Sequence, residues 1–154
     1  MNTTVTAAHR NRVADPANTR GVIIHVEDDH DTRVATGALL THAGFDVHSA
    51  ARPDAALALA ANCGDALDVI VVDYHLHADK NGTEVAEAIA RMLGHGLPLV
   101  ILTGDPINAE VPWLRDSPVW LVRKPVDPDK LIAGLQSLVN FRRTMKSLDQ
   151  RHVM

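Results

Sequence analysis

From Gly21 onward the chain alternates short aliphatic runs with stretches of helical period. The runs are Val22-Ile23-Ile24-His25-Val26, Phe45 to His48, Val69-Ile70-Val71-Val72, Leu97 to Leu102 and Val119 to Val122. Four are nearly continuous in apolar residues, the pattern of parallel strands covered by helices on both faces, whereas Phe45-Asp46-Val47-His48 alternates like an edge strand. Between them, Val85, Ile89, Met92 and Leu93 repeat on one helical face behind a capping Asn81, with Glu84 completing a capping box. Leu131, Leu135, Leu138 and Val139 form a second such face, with Asp127 as cap and Pro128 in the first turn. A first helix is expected from about Asp31 to Ala43, stopped by Gly44, and an Ala-rich one from Pro53 to Ala61. Between the fourth and fifth strands Pro112 limits any helix to a short piece. Five strands alternating with helices predict a three-layer α/β domain with a doubly wound, five-stranded parallel sheet.

Composition changes this picture little. A chain of 154 residues with 46% hydrophobic and 22% charged residues is one domain with enough apolar material for a core. No apolar run approaches the roughly 18 residues of a membrane span, and residues 1–20 lack the apolar block of a secretory signal, so a cytoplasmic protein is expected. Cys63 is the only cysteine, which excludes an internal disulfide and a cysteine-rich metal site. The net charge of −4 is uneven: residues 1–20 carry +2 and residues 141–154 carry +3, leaving −9 for residues 21–140. An acidic body argues against nucleic acid as a partner. The expected organisation is a flexible arm at 1–20, a domain at 21–141 and a solvated basic tail at 142–154.

Ligands of open α/β sheets bind at the carboxyl ends of the strands, and there the aliphatic runs give way to Glu27-Asp28-Asp29, Asp73, Thr103 and Arg123-Lys124-Pro125. Carboxylates gathered at one edge repel unless a cation lies between them, and an all-oxygen set suits Mg²⁺. Beside that metal, Asp73 is placed as a carboxylate nucleophile, Lys124 as a cation for phosphoryl oxygens and Thr103 as a hydroxyl donor, the set that phosphoryl transfer needs. His75 and His77 stand two apart, but loop imidazoles need not converge on a zinc ion. Gly94-His95-Gly96 leads into a strand and lacks a nucleotide-binding spacing, and Trp113 and Trp120 read as packing residues.

The runs Ile23 to Asp29, Val69 to Leu76, Val100-Ile101-Leu102-Thr103-Gly104 and Leu121-Val122-Arg123-Lys124-Pro125 resemble the motifs of two-component response regulator receiver domains over about residues 21–140. The separations also match: 45 residues from Asp28 to Asp73, 30 from Asp73 to Thr103 and 51 from Asp73 to Lys124. The resemblance implies a flavodoxin-like fold with strand order 2-1-3-4-5. It implies that Asp73 accepts a phosphoryl group from a histidine kinase, with Mg²⁺ bound by Asp28, Asp73 and the backbone carbonyl of His75, and by Glu27 through water. Thr103 and Lys124 then contact the phosphoryl group, and Lys124-Pro125 is cis. The loop His77 to Gly82 is one residue longer than the commonest form and resembles receivers found with hybrid sensor kinases. Too few residues follow Phe141 for a DNA-binding output domain, so a stand-alone receiver is expected, acting on an unknown downstream protein, with homodimer formation left open. The rival reading is a small phosphotransferase or hydrolase using Asp73 as a covalent nucleophile on phosphoesters. Such an enzyme would normally keep an acid two residues beyond the nucleophile, where His75 stands here. Receivers also commonly carry an aromatic ring three residues before the lysine. Here that position is Leu121, so a reordering of residues 104–117 is expected in place of a ring movement.

Overall fold

The computed structural model describes Asp15 and residues 18–76, 81–104, 113–114 and 116–152. Five parallel strands form the sheet: β1 (Val22–Val26), β2 (Asp46–Ala50), β3 (Val69–Asp73), β4 (Leu99–Thr103) and, after the short β5, β6 (Ser117–Arg123). Their order is β2-β1-β3-β4-β6, the doubly wound arrangement expected from the alternation of runs. A sixth strand that the hydrophobic pattern did not reveal, β5 (Trp113–Leu114), pairs antiparallel with the outer edge of β6. Two residues are too short to leave a periodic signal. They also let Pro118 sit ahead of the parallel pairing, which begins at Leu99 opposite Val119.

Alternation along the strands divides the core into two layers. Val22, Ile24, Val26, Ile70, Val72, Leu99 and Ile101 pack under α2 (Pro53–Cys63) and α3 (Gly82–Leu93). Ile23, Val69, Val71, Val100 and Leu102 pack under α1 (His30–His42) and α4 (Pro128–His152). Burial of β1, β3 and β4 is complete along their length, so continuous aliphatic runs were the right signature for them. At the edge, β2 buries His48 and Ala50 as well as Phe45, so its polar positions do not all face solvent.

Local chemistry sets the helix ends. Asn81 Oδ1 accepts from the Glu84 amide at 3.0 Å, and Asp127 Oδ1 accepts from Asp129 and Lys130. Asp29 Oδ2 accepts from the amide and hydroxyl of Thr32, so α1 starts at His30. After His42 the chain reaches Gly44 with φ +107°, which a side chain would resist.

Two expectations about the ends need correction. Residues 142–152 are not a separate solvated tail but the continuation of α4. Its basic residues meet acids of the body: Arg143 Nη2 lies 3.1 Å from Asp68 Oδ2, and the Lys146 ammonium donates to the Asp65 carbonyl at 2.8 Å. A charge count along the chain cannot see that pairing, because it joins residues more than 70 positions apart. Nor does the arm run to residue 20. Arg20 donates to the Ala43 carbonyl and to Gln136, and its guanidinium lies over the Phe45 ring. The expected short helix before Pro112 and the lengthened loop at 77–80 lie outside the described residues. Among the described residues, no helix is long and apolar enough to cross a membrane.

Candidate functional site

Because the five strands run parallel, their carboxyl ends meet at one edge of the sheet. Glu27 follows β1 and is 2% exposed, Asp73 ends β3 at 7%, Thr103 ends β4 at 2%, and Lys124 follows β6. Backbone hydrogen bonds extend the ladder into these exits: the Tyr74 amide donates to the Leu102 carbonyl and the Lys124 amide to the Thr103 carbonyl. The next peptide bond, Lys124-Pro125, is cis as the resemblance implied. These exits are therefore held by the sheet itself.

Lys124 Nζ donates to Asp73 Oδ2 at 2.8 Å and stands 3.8 Å from Glu27 Oε2. The other Asp73 oxygen accepts from the His75 amide at 3.0 Å. Glu27 Oε1 accepts from the Asp29 amide, while its Oε2 is buried and makes no hydrogen bond. Glu27, Asp28 and Asp73 each offer a carboxylate oxygen within 4.8 Å of the others. Asp29, the last acid of the cluster expected from sequence, is instead taken up as the cap of α1.

Electrostatics separates the three central groups. Burial, and then the adjacent Asp73 carboxyl, push Glu27 up to about 8. Burial also works against ionisation of Asp73, but the adjoining Glu27 carboxyl and the hydrogen bonds from Lys124 and the His75 amide outweigh it and hold the carboxyl below its ordinary range. For Lys124, burial opposes the charge, while the hydrogen bond to Asp73 and the surrounding acids raise the ammonium above its usual value. Asp73 is thus an anion already paired with a cation, and Glu27 beside it resists ionisation. Three carboxylates around one buried oxygen without a hydrogen bond fit a hard, oxygen-seeking divalent cation.

Two residues at this edge escaped sequence reading. Arg33 of α1 donates from Nη1 to the carbonyls of Glu27 and Asp28, at 3.0 and 3.3 Å, and so ties down the acidic turn. His25 is fully buried on β1 with Ser49 Oγ 3.2 Å from its Nδ1. Its signal was present, a polar residue inside an aliphatic run. His75 contributes its amide, and His77 lies outside the described residues. Trp120 packs in the layer under α4, whereas its neighbour Leu121 is 39% exposed.

A sequence profile described as the response regulator receiver domain matches residues 23–136. No curated protein matches significantly. Similar solved structures include a response regulator receiver domain protein from Clostridium thermocellum, 20% identical over 81% of this chain and 98% of that one, with a TM-score of 0.71. The chemotaxis protein CheY4 of Vibrio cholerae is 23% identical over 77% of this chain and 98% of its own, with a TM-score of 0.65. The receiver domain of the hybrid histidine kinase CckA is 24% identical over 77% and 99%, with a TM-score of 0.63. At these identities the structural likeness speaks to fold.

Proposed function

Since this chain belongs to the response regulator receiver domain family, we propose that it is a phosphorylation-controlled switch whose phosphoacceptor is Asp73. The observation that carries this reading is the Lys124 ammonium, 2.8 Å from Asp73 Oδ2 and beside two further acids. The donor is the phosphohistidine of a histidine kinase or hybrid sensor kinase. A carboxylate oxygen of Asp73 forms the new P–O bond while the P–N bond breaks, and the imidazole departs with the electron pair. Lys124 balances charge on the phosphoryl oxygens, and the Thr103 hydroxyl donates to one of them. Asp28 and Asp73, with the His75 carbonyl and with Glu27 acting through water, would hold Mg²⁺, which supplies the remaining charge neutralisation.

The low-lying carboxyl of Asp73 supports this role, since it is ionised and ready to attack at neutral pH. The protein then catalyses only its own phosphorylation and dephosphorylation and signals by binding a downstream protein. Acetyl phosphate with Mg²⁺ should add one phosphoryl group to the wild type, detectable by intact mass. Asp73→Asn should remain unlabelled, and chelation of Mg²⁺ should abolish labelling of the wild type. Equal labelling of Asp73→Asn would show that the nucleophile is another residue.

A further inference from the structure

At the opposite end of the sheet, a buried charge lacks the partners that burial normally demands. Arg142 is 8% exposed, its Nε is buried without a hydrogen-bond partner, and no hydrogen bond joins its guanidinium to a described residue. A guanidinium has five donors and a permanent charge, and buried charges are ordinarily both paired and hydrogen-bonded. Its ion pair among the described residues is with Asp65, whose side chain is 72% exposed. Asp65 is a loose partner for two cations and an imidazole at once. It stands 3.7 Å from Arg142 Nη2, 3.5 Å from Lys146 Nζ and 3.7 Å from His95 Nε2, each too far for a good hydrogen bond. The nearby Asp68 is already engaged by Arg143 and by the Val22 amide.

Arg142 and Lys146 share a helix face at a spacing of four, and His95 approaches from the turn before β4. With Asp65, Asp149 and Gln150 they line a cavity of about 210 Å³. That is below the roughly 300 Å³ at which pockets for drug-sized ligands begin, so the occupant is small. We propose that this cavity binds a phosphate group, as the free ion or as a phosphomonoester, between Arg142, Lys146 and His95, with Asp65 swinging outward. An arginine fork and an ammonium arriving from one helix, with an imidazole from another element, suit an anion with several oxygens better than one carboxylate. His95 Nδ1 lies 3.1 Å from the Gly96 carbonyl, which only accepts, so Nδ1 carries a hydrogen. The ring therefore donates to the anion from Nε2 only as imidazolium. Asp149 opposes the anion, so the expected affinity is millimolar.

The site is independent of the Asp73 chemistry. Phosphate titrated into the Mg²⁺-free protein at constant ionic strength, with chloride as control, should give saturable NMR shifts at the His95 ring and the Gly96 amide. Arg142→Gln and Lys146→Ala should each weaken binding at least about fivefold, and Asp73→Asn should leave it unchanged. Lys146 is partly exposed, so Lys146→Ala decides the matter if Arg142→Gln does not fold. Asp65→Asn should tighten binding several-fold, because it removes the competing carboxylate. A merely structural clasp predicts no such gain. A parallel titration with phenyl phosphate separates the sources: binding of both identifies a site open to phosphomonoesters, and binding of inorganic phosphate alone identifies a free-ion site. Absence of saturation at tens of millimolar for both, or unchanged phosphate affinity in Asp65→Asn, would overturn the proposal.

Discussion

His25 shows how one residue links the core to the chemistry above it. It shares its face of β1 with Ile23, in the layer under α1 and α4, and Glu27 follows two positions later at the site. Burial first, and then the Arg33 charge, lower the imidazole to about 4 from 6.5. In the unfolded chain the ring is protonated below about 6.5, whereas in the fold it resists protonation down to about 4. Its contribution is present above the unfolded value and is lost as pH falls through that window, at up to about 1.4 kcal/mol per pH unit. Denaturant titrations in EDTA at pH 7 and pH 5.5 should therefore show a smaller loss of stability for His25→Val than for the wild type. Equal losses would mean that the ring is not held neutral. Gly82 is a second single-residue constraint, because a Cβ there would overlap the Asp73 carbonyl oxygen and the Val72 side chain. Gly82→Ala should cost about 1–3 kcal/mol by overpacking and slow labelling of Asp73, read from a melting curve and an acetyl phosphate time course.

At the level of elements, α4 does two jobs along its length. Its first half buries Leu131, Leu135 and Val139 against the sheet, while its second half is held by Arg143 on Asp68 and Lys146 on the Asp65 carbonyl. The close approach of the first half depends on Gly134, where a Cβ would overlap the Trp120 ring. Gly134→Ala has better helix propensity, by up to about 1 kcal/mol. The overlap with an aromatic ring held in the core outweighs that gain, so a net destabilisation of about 1–2 kcal/mol is expected. Indole fluorescence should shift as the ring is displaced. A variant more stable than the wild type would show that the helix can move away at no cost.

For the whole molecule, the proposed phosphorylation at one edge of the sheet must alter the surface to signal. Leu121 is partly exposed on β6, and Trp120 points into the layer beneath α4, so Trp120 cannot substitute for an aromatic ring at position 121. A signal carried by a turning ring is therefore not available at this strand. Beryllofluoride with Mg²⁺ should instead change hydrogen-exchange protection across residues 104–117. A change confined to α1 and α2 would overturn this route.

Much of this architecture was legible in the chain because its signals are local. The aliphatic runs of β1, β3 and β4 mark strands buried on both faces, and Asn81 and Asp127 cap their helices through atoms a few residues away. The four strand exits were legible for a related reason, since a polar residue after an aliphatic run marks where a strand leaves the core. The rest depends on which distant residues become neighbours. Asp29 became a helix cap and left the carboxylate cluster, and β5 existed only by pairing with β6. The basic end became a docked helix because Asp65 and Asp68 turn toward it. Sequence by itself determined the alternation of elements, the parallel sheet and the residues at its carboxyl edge, all of which follow from local periodicity and composition. Only the tertiary structure decided which charges were paired, which were buried and how strongly each carboxyl held its proton, because those depend on through-space distance and on exclusion of water.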